Sequence, residues 1–136
     1  MRMILFYAHS FYYRTWEKSL PHVEDIKREE EVKNATVVFF QFEEKDVQNS
    51  SSVVKKTVKN IKWHAGKFST RSVVLHSFNH LSTSKASPED ALAMLDSVVE
   101  RLDRGGYNIT VTPFGYFHEF KIHVGGESLA KVYKEF

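Results

Sequence analysis

The chain has 136 residues, 42% hydrophobic and 14% aromatic, enough for one domain with a real core and too apolar for a disordered segment. It has no cysteine, which excludes disulfide frameworks, thiolate-held zinc and thiol nucleophiles and fits a cytoplasmic location. A formal net charge of +2 permits contact with nucleic acid but lacks the dense basic stripe of a tight duplex binder.

Residues 2–9 read as a buried first strand, because the apolar run is too short for a secretory core or a membrane span. Residues 11–16 continue as an aromatic strand after a bend. Residues 21–33, with Pro21 and the run Lys27-Arg28-Glu29-Glu30-Glu31, read as a polar loop or short helix. The β-branched and aromatic stretch 35–42 is a strong strand. Asn49-Ser50-Ser51-Ser52 offers N-cap chemistry, and Val54, Val58 and Ile61 then recur at helical spacing, predicting an amphipathic helix over 51–66.

Ser72 to Ser77 is another buried strand. Ser87-Pro88-Glu89-Asp90 starts a second helix with a cap, a proline at its first position and acids in its first turn; Gly105-Gly106 ends it. Tyr107–Thr112 and Phe117–Val124 read as strands joined by a turn at Pro113-Phe114-Gly115-Tyr116, and 127–135 as a short helix. The order β-β-β-α-β-α-β-β-α, without repeat or linker, predicts one α/β domain, residues 1–136, with a mixed sheet and covering helices.

Two segments stand out. Phe78-Asn79-His80-Leu81-Ser82 and Pro113-Phe114-Gly115-Tyr116-Phe117 each place aromatic rings where a strand gives way to a turn. A tight turn offers main-chain groups to a ligand, and a flat aromatic wall beside it suits a nucleoside. Strand ends of this kind are where α/β sheets place their sites. His80 suits a polar contact to a ligand, and His118 could act as a general base, since imidazole titrates near neutrality. Phe42, Phe78 and Phe114 suit either the wall of such a site or the core. His76 and His80 have His-x3-His spacing, but it spans a strand end and lacks a third ligand, so no metal site is expected. Lys55, Lys56, Lys59 and Lys62 form the densest basic cluster, a solvated helix face or a helper surface for RNA.

On these two segments the sequence resembles the N-terminal editing domain of archaeal threonyl-tRNA synthetase, which resembles D-aminoacyl-tRNA deacylases in fold. The resemblance runs the whole length: Met1-Arg2 opening a strand that ends at His9-Ser10, the strand Val38-Phe39-Phe40-Gln41-Phe42-Glu43, the second helix with Tyr107-Asn108 after it, and Phe120-Lys121-Ile122 through Leu129-Ala130. It implies removal of serine from mischarged threonine tRNA. It also implies a homodimer, no metal or other cofactor, no membrane, and a partner in the tRNA acceptor end. The remaining synthetase domains would act in cis or in trans. The candidate substrate-binding residues are Phe42, Ser77, Phe78, Asn79, His80, Phe114, Gly115, Tyr116 and Phe117; His80 and His118 are the candidate catalytic side chains.

Three positions depart from the family's pattern. Phe117-His118 stand where tyrosine then lysine are usual, Lys131 where a glutamate is expected, and Ser77 where proline is often found. The lysine and glutamate are the family's usual side-chain candidates for catalysis. Their replacement favours catalysis by backbone groups, a bound water and the tRNA's own ribose hydroxyl. Two other readings fit the same residues: a general D-aminoacyl-tRNA deacylase, or a tRNA-binding or dimerisation module that has lost activity.

Overall fold

The computed structural model describes residues 1–136. Its spine is β1, Arg2–Lys18, a single 17-residue strand. Met3 and Leu5 alternate with Ile4 and Phe6, so one sheet face receives each set. The expected bend between two strands is a register shift between Ala8 and Ser10 inside one continuous strand.

β2, Glu29–Gln41, runs antiparallel to β1 from Arg2↔Gln41 to Arg14↔Glu29. The acidic stretch read as loop or helix therefore carries the start of a strand. Tyr12 donates its hydroxyl to Glu29 at 2.6 Å and Tyr13 donates to Glu30, so tertiary partners override the poor strand propensity of glutamate. β3 (Ser72–Ser77) lies parallel to β2, and β4 (Asn108–Val111) parallel to β3. β5 (Tyr116–Val124) pairs antiparallel with β1 from Ala8 to Lys18. The sheet order is β4-β3-β2-β1-β5.

β5 leaves the edge of β1 open over residues 2–6. The final segment fills that gap. Ser128–Ala130 is one 3-10 turn and β6, Lys131–Glu135, pairs with β1 from Phe6↔Lys131 to Arg2↔Glu135. The helix expected over 127–135 is thus a strand: residues 131–136 alternate exposed and half-buried, a period of two, because an unpaired ladder edge awaits them.

Two helices cover one face. α1 spans Ser50–Lys67 and α2 spans Pro88–Arg104. Met1, Met3, Leu5, Val38, Phe40 and Phe42 from the strands pack there against Val53, Val54, Val58, Ile61, Met94, Leu95, Val98 and Leu102. α2 starts as expected, with the Ser87 hydroxyl accepting from the Asp90 amide at 3.1 Å. α1 does not: the Asn49 side chain makes no capping bond, because a 3-10 helix over Glu44–Asn49 runs directly into α1. On the opposite face the sheet curls, and Phe11, Val37, Phe39 and Val74 pack with Phe78, Phe120 and Ile122.

Candidate functional site

β2, β3 and β4 are mutually parallel, so all three leave the sheet at the same end, and the connection from β4 to β5 starts there. The connections at this end enclose a cleft of about 480 Å³, within the ~300–1,000 Å³ typical of small-molecule sites. Phe40, His76, Tyr116, Phe117, His118 and Phe120 come from the strands, Phe78–His80 from one loop, and Pro113–Gly115 from the other. Phe42, Lys85, Ala86, Pro88 and Ala91 close the side nearest α2. Every residue singled out above, namely Phe42, Ser77, Phe78, Asn79, His80, Phe114, Gly115, Tyr116, Phe117 and His118, lines this one cleft. Phe117 is 54% exposed and sits at the rim. Lys131 does not line it; its ammonium donates to the Gly125 carbonyl at 2.7 Å.

The Pro113–Tyr116 turn is held by its neighbours. Gly115 has φ +84°, and a Cβ there would stand 2.6 Å from Val23 Cγ1. Its carbonyl accepts from the Ser19 and Leu20 amides at 2.8 and 3.2 Å. The Tyr116 hydroxyl accepts from the Ile26 amide at 2.7 Å and donates to the Glu24 carbonyl at 2.6 Å. Residues 19–26 thus brace the turn from behind.

The other loop is organised by the buried side-chain amide of Gln41. It accepts from the Leu81 and Ser82 amides at 2.9 and 2.8 Å and donates to the Ser82 and Ser84 carbonyls at 2.9 and 3.0 Å. All four hydrogen-bonding positions of the side chain are used. The Phe78 amide bonds the Phe40 carbonyl, and the Ala86 amide the Phe42 carbonyl, so the loop is fastened at both ends. Ser82 donates to Glu43 at 2.7 Å, and Glu43 also receives the Met1 ammonium at 2.9 Å. A glutamine inside the apolar run 37–42 was the available signal.

His76 is buried on the cleft floor, with Nδ1 3.0 Å from the Thr112 hydroxyl. That hydroxyl also lies 3.4 Å from the Leu75 carbonyl, which accepts from the Thr112 amide at 3.1 Å. The His118 ring lies 5.4 Å away, and its Nε2 is buried without a partner. Burial, and then the neighbouring His118, lower His76 to about 3; burial lowers His118 to about 4. Both are neutral at pH 7. His80, by contrast, is exposed, with its ring 5.2 Å from Phe78. No carboxylate lines the cleft, and Lys85 is its only lysine or arginine. No three His, Asp or Glu side chains gather closely enough to hold a metal ion.

Such a cleft offers aromatic faces, rigid backbone turns and uncharged imidazoles. A family model described as the archaea-specific editing domain of threonyl-tRNA synthetase matches residues 1–136. The chain is 34% identical over 142 residues to the threonine–tRNA ligase of Hyperthermus butylicus, covering 100% of this chain and 23% of that protein. It is 34% identical over 135 residues to the ligase of Thermococcus onnurineus, covering 97% of this chain and 22% of that protein. Among solved structures, the c-Myc DNA unwinding element binding protein aligns over 100% of this chain and 99% of its own, with TM-score 0.67 at 15% identity, a likeness of fold alone. No helix is long and apolar enough to cross a membrane.

Proposed function

The chain belongs to the archaea-specific editing-domain family of threonyl-tRNA synthetase, and on that premise we propose that it hydrolyses L-serine from mischarged threonine tRNA. The observation that carries this reading is the cleft itself: two aromatic-bearing turns, one hung on Gln41 and one braced by residues 19–26, converge without a single carboxylate.

Serine is threonine without a methyl, and one such group is worth only about 1–3 kcal/mol of discrimination in a synthetic pocket. A second, rigid site that the larger side chain cannot enter supplies the rest. The Phe78 and Phe114 rings would flank the terminal adenine, Asn79 and His80 would contact ribose or serine, and Lys85 would meet the last phosphate.

In the reaction, a water oxygen attacks the seryl carbonyl carbon, the ester C–O bond breaks, and the water's proton restores the terminal ribose hydroxyl as serine leaves. Backbone N–H groups of the turn after Pro113 would stabilise the oxyanion. An imidazole titrating at about 4 is a weak base at neutral pH, so His118 fits a hydrogen-bonding role better than proton abstraction. The free hydroxyl of the terminal ribose is then the group that positions the water. The chain spans under a quarter of the ligases it matches, so the remaining synthetase domains and a homodimeric state belong to the same proposal. Deacylation of seryl and threonyl esters of threonine tRNA by this chain tests it.

A further inference from the structure

α1 has an unusual charge pattern. Its 18 residues include five lysines and no aspartate or glutamate. Lys55, Lys56, Lys59, Lys62 and Lys67 are all exposed, and none takes part in an ion pair. Surface helices ordinarily set carboxylates among their lysines, since like charges repel at i,i+4 spacing, which Lys55 and Lys59 adopt. α2 does so, with five carboxylates against two arginines. The positive charge is therefore segregated on one helix.

The same surface carries aromatic rings. Trp63 is 37% exposed on the outer side of α1, and the Lys134 ammonium lies 5.3 Å from its ring centroid; Lys56 stands 5.9 Å from the Phe136 ring. Cations from α1 and β6 thus share one face.

Phe42, which lines the cleft, is followed by the 3-10 helix Glu44–Asn49 and then by α1, which at 1.5 Å per residue is about 27 Å long. The apolar side of α1 is spent in the core on Val53, Val54, Val58 and Ile61, so the helix has no free face to insert into a lipid surface. What remains is a rigid row of unpaired cations leading from the cleft, complementary to a phosphodiester backbone.

We propose that the outer face of α1 binds the phosphate backbone of the acceptor stem of the tRNA whose 3′ end enters the cleft. This rests on the tRNA-editing reading. The face adds affinity without touching the reacting ester.

The test replaces Lys55, Lys59 and Lys62 by glutamine together, and Lys59 alone, in the full 136-residue chain. Fluorescence anisotropy reads binding of an acceptor-stem minihelix and of its single-stranded 3′ tetranucleotide across a salt series. Hydrolysis of 3′-O-seryl adenosine reads the cleft. For the minihelix, the triple variant is expected to bind at least about tenfold more weakly and to lose about two units of the log affinity versus log salt slope; Lys59→Gln is expected to lose under one unit. Tetranucleotide binding and seryl-adenosine hydrolysis should be unchanged. Minihelix binding and salt slope unaltered in the triple variant would overturn the proposal. So would an equal loss with the tetranucleotide. Failure of the editing reading would instead show as wild-type chain that does not hydrolyse the adenosine ester, an arm separate from minihelix binding.

Discussion

The imidazole rings of His76 and His118 stand 5.4 Å apart on the wall of the cleft, one bonded to Thr112 and the other with its Nε2 unpartnered. They lie on β3 and β5, which β2 and β1 separate in the sheet, and 42 residues apart in sequence; the curl of the sheet brings them together. Burial lowers both, so each is held neutral at pH 7.

The first prediction concerns that pair and stability. A histidine titrating at about 3 or 4 when folded and near 6.5 when unfolded binds its proton more readily in the unfolded chain. The unfolded state therefore takes up protons as pH falls below about 6.5, and stability drops by up to ~1.4 kcal/mol per pH unit for each ring until the folded state titrates. Urea unfolding at pH 7 and pH 5 should show the drop, and His76→Gln should reduce it. An equal decline in that variant would assign the acid sensitivity elsewhere.

A second prediction follows for catalysis. His118→Ala should retain activity within about tenfold, and the wild-type pH–rate profile should have no limb set by this ring between pH 5.5 and 8. A general base would cost ~10²–10⁴ when removed. A loss of that size, with the fold and binding of a seryl-adenosine analogue intact, would make His118 the base.

Gln41 provides the third. Gln41→Ala removes the four hydrogen bonds that hold residues 81–84 and leaves partly buried polar groups of that loop unpaired. The expected cost is about 2–4 kcal/mol of stability, with a lower deacylation rate even where the variant is fully folded. Chemical denaturation and single-turnover kinetics read the two effects separately. Full activity in the folded variant would show that this loop does not shape the site.

Much of this arrangement is legible in the sequence, for identifiable reasons. Gly115 between Phe114 and Tyr116 announces a turn needing positive φ, and the structure gives it φ +84°. Ser87-Pro88 marks the start of α2 because capping is local. What escaped was decided by distant partners. Glu29–Val32 became strand because Phe11–Arg14 lay alongside. Residues 131–135 became strand because β5 left β1 uncovered. The spacing of His76 to His80 points only to a metal ligand, whereas its place at the end of an apolar strand puts it on the cleft floor. Gln41 was hidden in an apolar run whose neighbours point elsewhere.

The fourth prediction tests the ribose. Threonine tRNA carrying serine on the 3′ oxygen and lacking the 2′ hydroxyl should be hydrolysed far more slowly, with little change in binding. The cleft has no carboxylate to take over the task. An unchanged rate on the deoxy substrate would show that groups of the protein suffice.

The central claim is discrimination between serine and threonine, and one measurement bears on it most directly: first-order deacylation of L-seryl and L-threonyl threonine tRNA by the 136-residue chain. The account predicts rapid loss of serine and threonine release near the buffer rate. Equal rates on both esters, or a seryl rate no faster than buffer alone, would contradict it.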